Sequence, residues 1–353
     1  MPIDHLDIQH LRNLESARLA FTSGLNLITG LNASGKTSLL EAIALAVTGK
    51  SFRTPRIDQL VQHGSDEMLV VGEYRQADQR YRVGLSRCAG KTQVKLNGAF
   101  VNRTTDLVDY LPLFVLTPQS HELLDSGPKM RRHYLDWGVF HVEHRYLDVW
   151  QRYHRILRQR NATLRQQAST KAIQAWDSPM IDNAEQIHDF RQRYIDRLQP
   201  WLHEYCSNLL GLEVDIRYQA GWNTEVGLAP ILQEQLDKDL NRGFTSMGPH
   251  RADIKLKHAG KTVQSLLSRG QQKLLICAMT LAQMRVLERD CLILVDDLPA
   301  ELDPHKRQAL MQALRSTGAQ IMVTATESGL IQADEWPERK MFHVEHGKVR
   351  EVV

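Results

Sequence analysis

The stretch Gly30-Leu31-Asn32-Ala33-Ser34-Gly35-Lys36-Thr37 restricts this chain more than any other. It fits the pattern G-x-x-x-x-G-K-[ST], and the chemistry explains the order. Glycines let backbone N–H groups close around phosphate oxygens. The helix that follows turns its positive end toward the same anion. A lysine at position 36 reaches the β and γ phosphates, and a hydroxyl at 37 ligates Mg²⁺. The context fits as well. Leu25–Thr29 reads as a buried strand running into Gly30, and Ser38–Val47 as an apolar helix that stops at Gly49. These residues predict an α/β nucleotide-binding fold.

The rest of the chain fills in the organisation. At 353 residues, with 42% hydrophobic and 24% charged, it is ordinary globular material, long enough for two domains or for one domain carrying an inserted lobe. The net charge of +3 is too small to argue for any partner. No apolar run is long enough to span a bilayer, and Met1-Pro2-Ile3-Asp4-His5 is no secretion signal. The cysteines Cys88, Cys206, Cys277 and Cys291 are scattered, and Cys277 and Cys291, in apolar contexts, read as buried free thiols of a reducing cytoplasm. His5–Leu11 and Ala17–Thr22 alternate like a hairpin. Short strands follow from Met68 to Val101, with turns at Asp78-Gln79, Ala89-Gly90 and Asn97-Gly98, and another at Leu113–Leu116. From Lys129 to Arg165 there are nine Lys/Arg against three Asp/Glu. Tyr146, Trp150, Tyr153, Leu157 and Leu164 recur there at helical spacing, and Ile187, Phe190, Tyr194, Leu198, Trp201 and Tyr205 do so beyond a loop around Ser169–Pro179. Two helices of roughly 35–40 Å would pair as an antiparallel arm. The expected division is 1–120, the N-terminal part of an ATPase lobe; 121–240, a helical lobe with the basic arm; and 241–353, the C-terminal part of the ATPase lobe.

Cys291–Val295 is an apolar strand ending in Asp296-Asp297, where a phosphate-loop fold holds its metal. Asp296 would bind Mg²⁺, and Asp297 would orient or deprotonate the attacking water. Upstream, Leu267-Ser268-Arg269-Gly270-Gln271 precedes a long helix; downstream comes Glu301-Leu302-Asp303. In this order the three motifs resemble the ATP-binding-cassette ATPases. That resemblance implies that Ser268 and the Gly270 amide meet the γ-phosphate of ATP held by a second copy, with Gln271 and Asp303 beside them. Arg269 stands where transporter subunits carry glycine, and Thr326-Glu327 where they carry a switch histidine, which argues against a transporter.

More specific strings are Arg12-Asn13-Leu14, Thr117-Pro118-Gln119, Gly127-Pro128-Lys129-Met130-Arg131-Arg132 running on to Leu135-Asp136-Trp137-Gly138, Arg158-Gln159-Arg160-Asn161, and Gly248-Pro249-His250-Arg251. Through them nearly the whole chain closely resembles the RecF family of bacterial DNA replication and repair proteins. The family's D-D-x-x-S-E-L-D has Ala300 at its serine position. The resemblance implies an ATP-binding-cassette-type head with an inserted helical lobe. Implied contacts to ATP are Arg12, Gly30, Leu31, Asn32, Ala33, Ser34, Gly35, Lys36, Thr37 and Ser38, with Lys36, Asp297 and Gln119 catalytic and Thr37 and Asp296 on Mg²⁺. It also implies a weak, DNA-stimulated ATPase that dimerises on ATP and binds double-stranded DNA near single-strand gaps. With RecR and RecO it would load RecA, support the SOS response and reside in the cytoplasm at the nucleoid.

For DNA phosphates the candidates are Arg131, Arg132, Arg152, Arg155, Arg158, Arg160 and Arg165. A structural tether is a competing reading, disfavoured because helices of ~25 residues cannot bridge distant DNA. The repeated tetrapeptides His141–His144 and His343–His346 lack a third ligand for a metal. Trp150 and Trp201 follow the apolar period and read as core. Gly248–Arg251 either supports the nucleotide site or only shapes its loop.

Overall fold

The computed structural model describes residues 2–76, 79–101, 111–297 and 301–352. Asp78, at one expected turn, and Ala300 lie outside the described residues. The chain divides into two compact units: Met1–Ser120 together with Glu288–Val353, and His121–Leu287. The second boundary falls well beyond residue 240. The signature helix, expected in the ATPase lobe, belongs by its contacts to the helical unit. The Gln283 amide donates to the Tyr134 carbonyl at 2.9 Å, and the Arg285 guanidinium lies 4.4 Å from the Trp201 ring centre.

The first unit holds two six-stranded sheets. One is antiparallel, built from β1 (Ile3–Leu11), β2 (Leu14–Ala20), β4 (Glu67–Gln76), β5 (Gln79–Cys88), β6 (Lys91–Leu96) and β7 (Ala99–Phe100), in the order β2-β1-β4-β5-β6-β7. The other contains β3 (Leu25–Thr29), β8 (Leu113–Leu116), β12 (Leu292–Val295), β13 (Gln320–Ala325), β14 (Arg339–Glu345) and β15 (Lys348–Val352), in the order β15-β14-β3-β13-β12-β8. Its strands are parallel except for the final hairpin β14–β15. Parallel strands are buried on both faces and need continuous apolar runs, and β3, β12 and β13 are buried at every position. Helix α1 (Lys36–Thr48) is mostly apolar and buried on nearly every side. It joins residues of both sheets in one core that includes Ile8, Val70, Leu85, Leu40, Ile43, Leu294 and Phe342.

The second unit contains α2 (Pro128–Val142), α3 (Tyr146–Arg165), α4 (Asp177–Leu210) and α5 (Arg269–Leu287), with a small antiparallel sheet of β9 (Asp215–Gln219), β10 (Asp253–His258) and β11 (Lys261–Thr262). The first expected helix, with Tyr146, Trp150, Tyr153, Leu157 and Leu164, is α3, and a separate helix, α2, precedes it. The chain leaves helical geometry at Glu143 so that Asp136 on α2 can accept from Tyr146 Oη (2.6 Å) and Trp150 Nε1 (3.3 Å) on α3. A straight helix would hold positions 136 and 150 ~21 Å apart. Conversely, α4 begins before Pro179, which sits in its first turn, where no N–H is needed. Cys277 and Cys291 are buried free thiols as expected, and Cys206 is buried as well, each pushed up to about 12 by that burial; Cys88 is exposed. Trp150 and Trp201 are half-buried at the edge of the packing. Among the described residues no helix is long and apolar enough to cross a membrane.

Candidate nucleotide site

The phosphate-loop residues leave the sheet at the end of β3, and α1 starts immediately after them. Gly30 has φ +151° and Gly35 φ +124°, a region that L-residues rarely adopt. A Cβ at Gly30 would lie 2.3 Å from the Val344 carbonyl oxygen, so only glycine lets the loop pass this close to β14. Two side contacts hold the loop. Asn13 Nδ2 donates to the Ser34 carbonyl at 3.0 Å while Asn13 Oδ1 accepts from Ser38 Oγ at 2.9 Å, and the Gly347 N–H also donates to the Ser34 carbonyl at 2.9 Å. Leu31, Asn32 and Ala33 are exposed at the tip; Ser34, Gly35, Lys36 and Ser38 are buried and Thr37 half-buried.

Lys36 Nζ donates to the carbonyls of Gly30 (2.8 Å) and Leu31 (3.2 Å) and stands 3.8 Å from Asp297 Oδ1. Thr37 Oγ1 donates toward both carboxylate oxygens of Asp296, at 3.0 Å each. The two acidic residues follow β12, whose neighbour β13 supplies Thr324. Thr324 Oγ1 donates to Asp296 Oδ1 at 2.9 Å and accepts the Asp297 N–H at 2.7 Å. One hydroxyl thus fixes the carboxylate of Asp296 and the backbone of Asp297, which adopts φ +46°. Burial raises the Asp296 carboxyl above the usual range and the Asp297 charge adds to this; the Thr324 and Thr37 hydroxyls and the Arg53 charge oppose it.

The residues present fit the groups their motif implies. Ser34 Oγ is buried without a hydrogen-bond partner, a donor suited to a phosphate oxygen. A threonine hydroxyl and a desolvated carboxylate 3.0 Å apart are hard oxygen ligands of the kind Mg²⁺ takes, with further positions left for phosphate and water. Thr37 and Asp296 are the residues that would hold it.

Arg12 is placed differently from expectation. Its guanidinium forks onto Glu41, with Nε 3.0 Å from Oε2 and Nη2 3.2 Å from Oε1, and Nη1 donates to the Gln59 carbonyl. Glu41 lies fully buried in α1; it also accepts from Ser51 Oγ and faces Arg53 at 3.6 Å. Sequence reasoning passed over Glu41, Asn13 as a loop clamp, and Thr324. A lone glutamate in the otherwise apolar helix Ser38–Val47 was the available signal for the first. Gln119 is exposed and follows β8, whose Leu116 pairs with Val295, so it leaves the sheet at the same end as Asp296.

Ser268, Gly270 and Gln271 belong to the other unit. Ser268 and Gln271 form a reciprocal cap on α5: the Ser268 N–H donates to Gln271 Oε1 at 2.9 Å, and Ser268 Oγ accepts the Gln271 N–H at 3.4 Å. Ser268, Arg269 and Gly270 are exposed, and a Cβ at Gly270 would meet nothing within 4 Å. Asp303 caps the helix Pro304–Ser316 by accepting the Lys306 N–H at 3.0 Å, which holds its carboxyl below the usual range. Ion pairing removes two arginines from the candidate DNA surface. Arg131 is buried and forks onto Asp253 at 2.8 and 3.1 Å. Arg160 is fully buried between Asp177 (2.9 Å) and Asp239 (3.0 Å). Arg132 is half-buried, with Nη1 on the Ala252 carbonyl; Arg152, Arg155, Arg158 and Arg165 are exposed. Among the described residues there is no cluster of three or more metal-type ligands, including around His141 and His343.

Residues 2–349 match the family model of the RecF/RecN/SMC N terminal domain. The chain is 40% identical to the DNA replication and repair protein RecF of Hydrogenovibrio crunogenus, over 98% of this chain and 97% of that one. It is 41% identical to the same-named protein of Shewanella sediminis, over 99% of each. Among solved structures, the recombination mediator protein RecF-ATPrS in the RecFOR pathway is similar, with TM-score 0.85 and 25% identity, covering 100% of this chain and 98% of that one. An Smc head bound to the C-winged helix domain of ScpA shares the fold, with TM-score 0.66 and 16% identity over 100% and 97%. Its fold is that of the RecF and SMC-head ATP-binding-cassette ATPases, and the chain belongs to the RecF family.

Proposed function

We propose that this protein is a slow, DNA-stimulated ATPase of recombinational repair. It binds double-stranded DNA near single-strand gaps, dimerises on ATP, and acts with RecR and RecO to load RecA. It works in the cytoplasm at the nucleoid and supports the SOS response. The observation that carries the reading is the Thr37–Asp296–Thr324 chain of hydrogen bonds under a glycine-built loop, in a chain whose relatives at about 40% identity are named for DNA replication and repair. The RecFOR structures, one with ATP, support the nucleotide and the pathway.

Loop amides, Ser34 and the start of α1 bind the phosphates. Among the described residues Lys36 is held by two loop carbonyls and, at 3.8 Å, the Asp297 carboxylate, neutral or weak partners that its ammonium exchanges for the β and γ phosphates. Asp297, set by its tie to Thr324, orients or deprotonates the attacking water, and Gln119 completes that arrangement. Mg²⁺ on Thr37 and Asp296 would neutralise charge developing on the phosphates. In the dimer the exposed, capped start of α5 offers Ser268, Gly270 and Gln271 to the γ-phosphate of the facing copy, with Asp303 alongside. ATP then favours the dimer because only the dimer encloses that phosphate, and hydrolysis loosens it. Among the arm residues, Arg132, Arg152, Arg155, Arg158 and Arg165 are the phosphate contacts. Sedimentation with and without ATP, with gapped duplex and single-stranded competitors, tests the reading. ATP-linked dimers that prefer duplex support it. Full turnover by monomers at high dilution, or dimers that ignore DNA, overturns it.

A further inference from the structure

The Gly248-Pro249-His250-Arg251 string takes no part in the site above, yet it is built with care. The Gly248 N–H donates to the Gly221 carbonyl at 3.2 Å, and a Cβ at Gly221 would lie 2.3 Å from Gly248 O. Two glycine turns are therefore stitched backbone to backbone. The turn is pinned again from both sides. His250 Nδ1 meets Tyr153 Oη at 2.7 Å and its Nε2 meets the Thr245 carbonyl at 2.9 Å, while Arg191 Nη1 donates to the Pro249 carbonyl at 2.9 Å. With residues 248–250 fixed, Arg251 is left exposed. Its guanidinium lies 5.0 Å from the Phe244 ring centre, and it has no carboxylate partner among the described residues.

Beside this turn α4, β9 and the segment after β9 form a groove of ≈ 610 Å³ whose lining includes Arg251. Its other walls are aromatic and amide. His188 stacks on Tyr218 with ring centres 5.6 Å apart and planes 23° apart, and Trp222 meets His188 edge-on at 5.5 Å; Gln192, whose Nε2 donates to Asp196 and whose Oε1 remains an acceptor, and Asn223, whose Oδ1 accepts the Glu225 N–H and whose Nδ2 remains a donor, are also in the lining. The His188 Nδ1 atom is buried and has no hydrogen-bond partner. Burial also holds the His188 ring below the usual histidine range, which favours the neutral, stackable form. The single carboxylate of the lining is Glu225, an acceptor for an exocyclic amino group.

Aromatic surface, neutral amides and one unpaired guanidinium on a rigid turn are what an unstacked nucleotide requires: a π-face, hydrogen bonds for the base edge, and a cation for the phosphate. A duplex offers no free base faces, whereas a single strand does. We propose that this groove binds one unpaired nucleotide of single-stranded DNA, with the base against the Trp222–His188–Tyr218 group and its phosphate on Arg251. The inference rests on the DNA-binding reading and adds to it a contact specific for the single-stranded side of a gap.

The experiment uses the full chain and three probes: a blunt duplex, the same duplex with a gap, and a 5′-phosphorylated oligothymidylate four nucleotides long. Affinities are read by fluorescence anisotropy, and a 5-iodouracil placed in the gap is photocrosslinked and mapped. Arg251→Met and Trp222→Leu should each weaken oligothymidylate binding about fivefold to tenfold and erase any preference for gap over blunt duplex, with blunt-duplex affinity unchanged; crosslinks should fall within 188–222. Gln192→Ala, a surface change that leaves the packing intact, should weaken the oligonucleotide twofold or more. If all three variants bind the oligonucleotide as the parent does, or the crosslinks map elsewhere, the groove is not the site, although duplex binding and the repair reading stand. If the parent binds neither duplex nor oligonucleotide, both readings fall.

Discussion

Thr324 shows how much one side chain can carry in this site. Fully buried, it donates its single proton to Asp296 and accepts the Asp297 N–H, so one hydroxyl ties both acidic residues to β13. Thr324→Val keeps the shape and removes both bonds. An unsatisfied buried group costs about 1–3 kcal/mol, and ATP turnover should drop at least tenfold while the fold survives; urea midpoints and a phosphate-release assay separate the two effects. Lys36→Arg keeps the charge but replaces a compact ammonium with a planar fork, in a place where the amine is 4% exposed and fitted between two carbonyls. Hydrolysis should fall to a small fraction of the parent rate with part of the nucleotide affinity retained, as measured by single-turnover kinetics and equilibrium binding. A normal rate in that variant would remove the lysine from the chemistry.

At the scale of elements, local pattern was legible in the apolar strands of the parallel sheet. The spacing predicts strands at Leu25–Thr29 and Leu113–Leu116, and the structure has strands over those residues. Glycine at 49 in the left-handed region ends α1 as the sequence suggests. What pattern could not show is which polar groups turn inward. Arg131 and Arg160 look like members of a basic stripe, and only the fold reveals Asp253, Asp177 and Asp239 waiting for them from distant parts of the chain. Likewise the break between α2 and α3 exists because Asp136 gathers Tyr146, Trp150 and Arg191, a tertiary demand with no helix-stop residue to announce it. Arg160→Ala leaves Asp239 buried and uncompensated and should cost about 3–5 kcal/mol in urea unfolding, whereas Arg155→Ala on the exposed face should cost within ~0.5 kcal/mol. At the head of α5, Ser268→Ala removes one half of the reciprocal cap and should cost about 1 kcal/mol.

On the scale of the whole molecule, the helical unit carries an acid sensitivity of its own. Burial, with Arg251, His154 and Arg132 nearby, pushes the His250 imidazole down to about 4, although the Thr245 carbonyl favours its protonated form. Above pH 6.5 neither the folded nor the unfolded chain protonates it and its stabilising contribution is complete. Between 6.5 and 4 the unfolded chain takes up a proton that the folded chain refuses, so stability declines as the pH falls. Denaturation midpoints should drop between pH 7 and pH 5, and His250→Asn should show a smaller drop; equal slopes would clear this residue. The other unit has a different vulnerability, set by the order of its strands. β3 ends at Thr29, yet the strands that flank it begin at Gln320 and Arg339. At roughly 5–20 residues per second a ribosome needs on the order of 15–60 s to deliver them. For that interval β3 and the glycine loop have the antiparallel sheet beneath α1 but neither of the strands that pair with β3, while everything required by the helical unit has already emerged. A message cut short near its end would therefore release a well-formed middle flanked by a sticky, unsheltered beginning, the kind of product that chaperones hold and proteases clear.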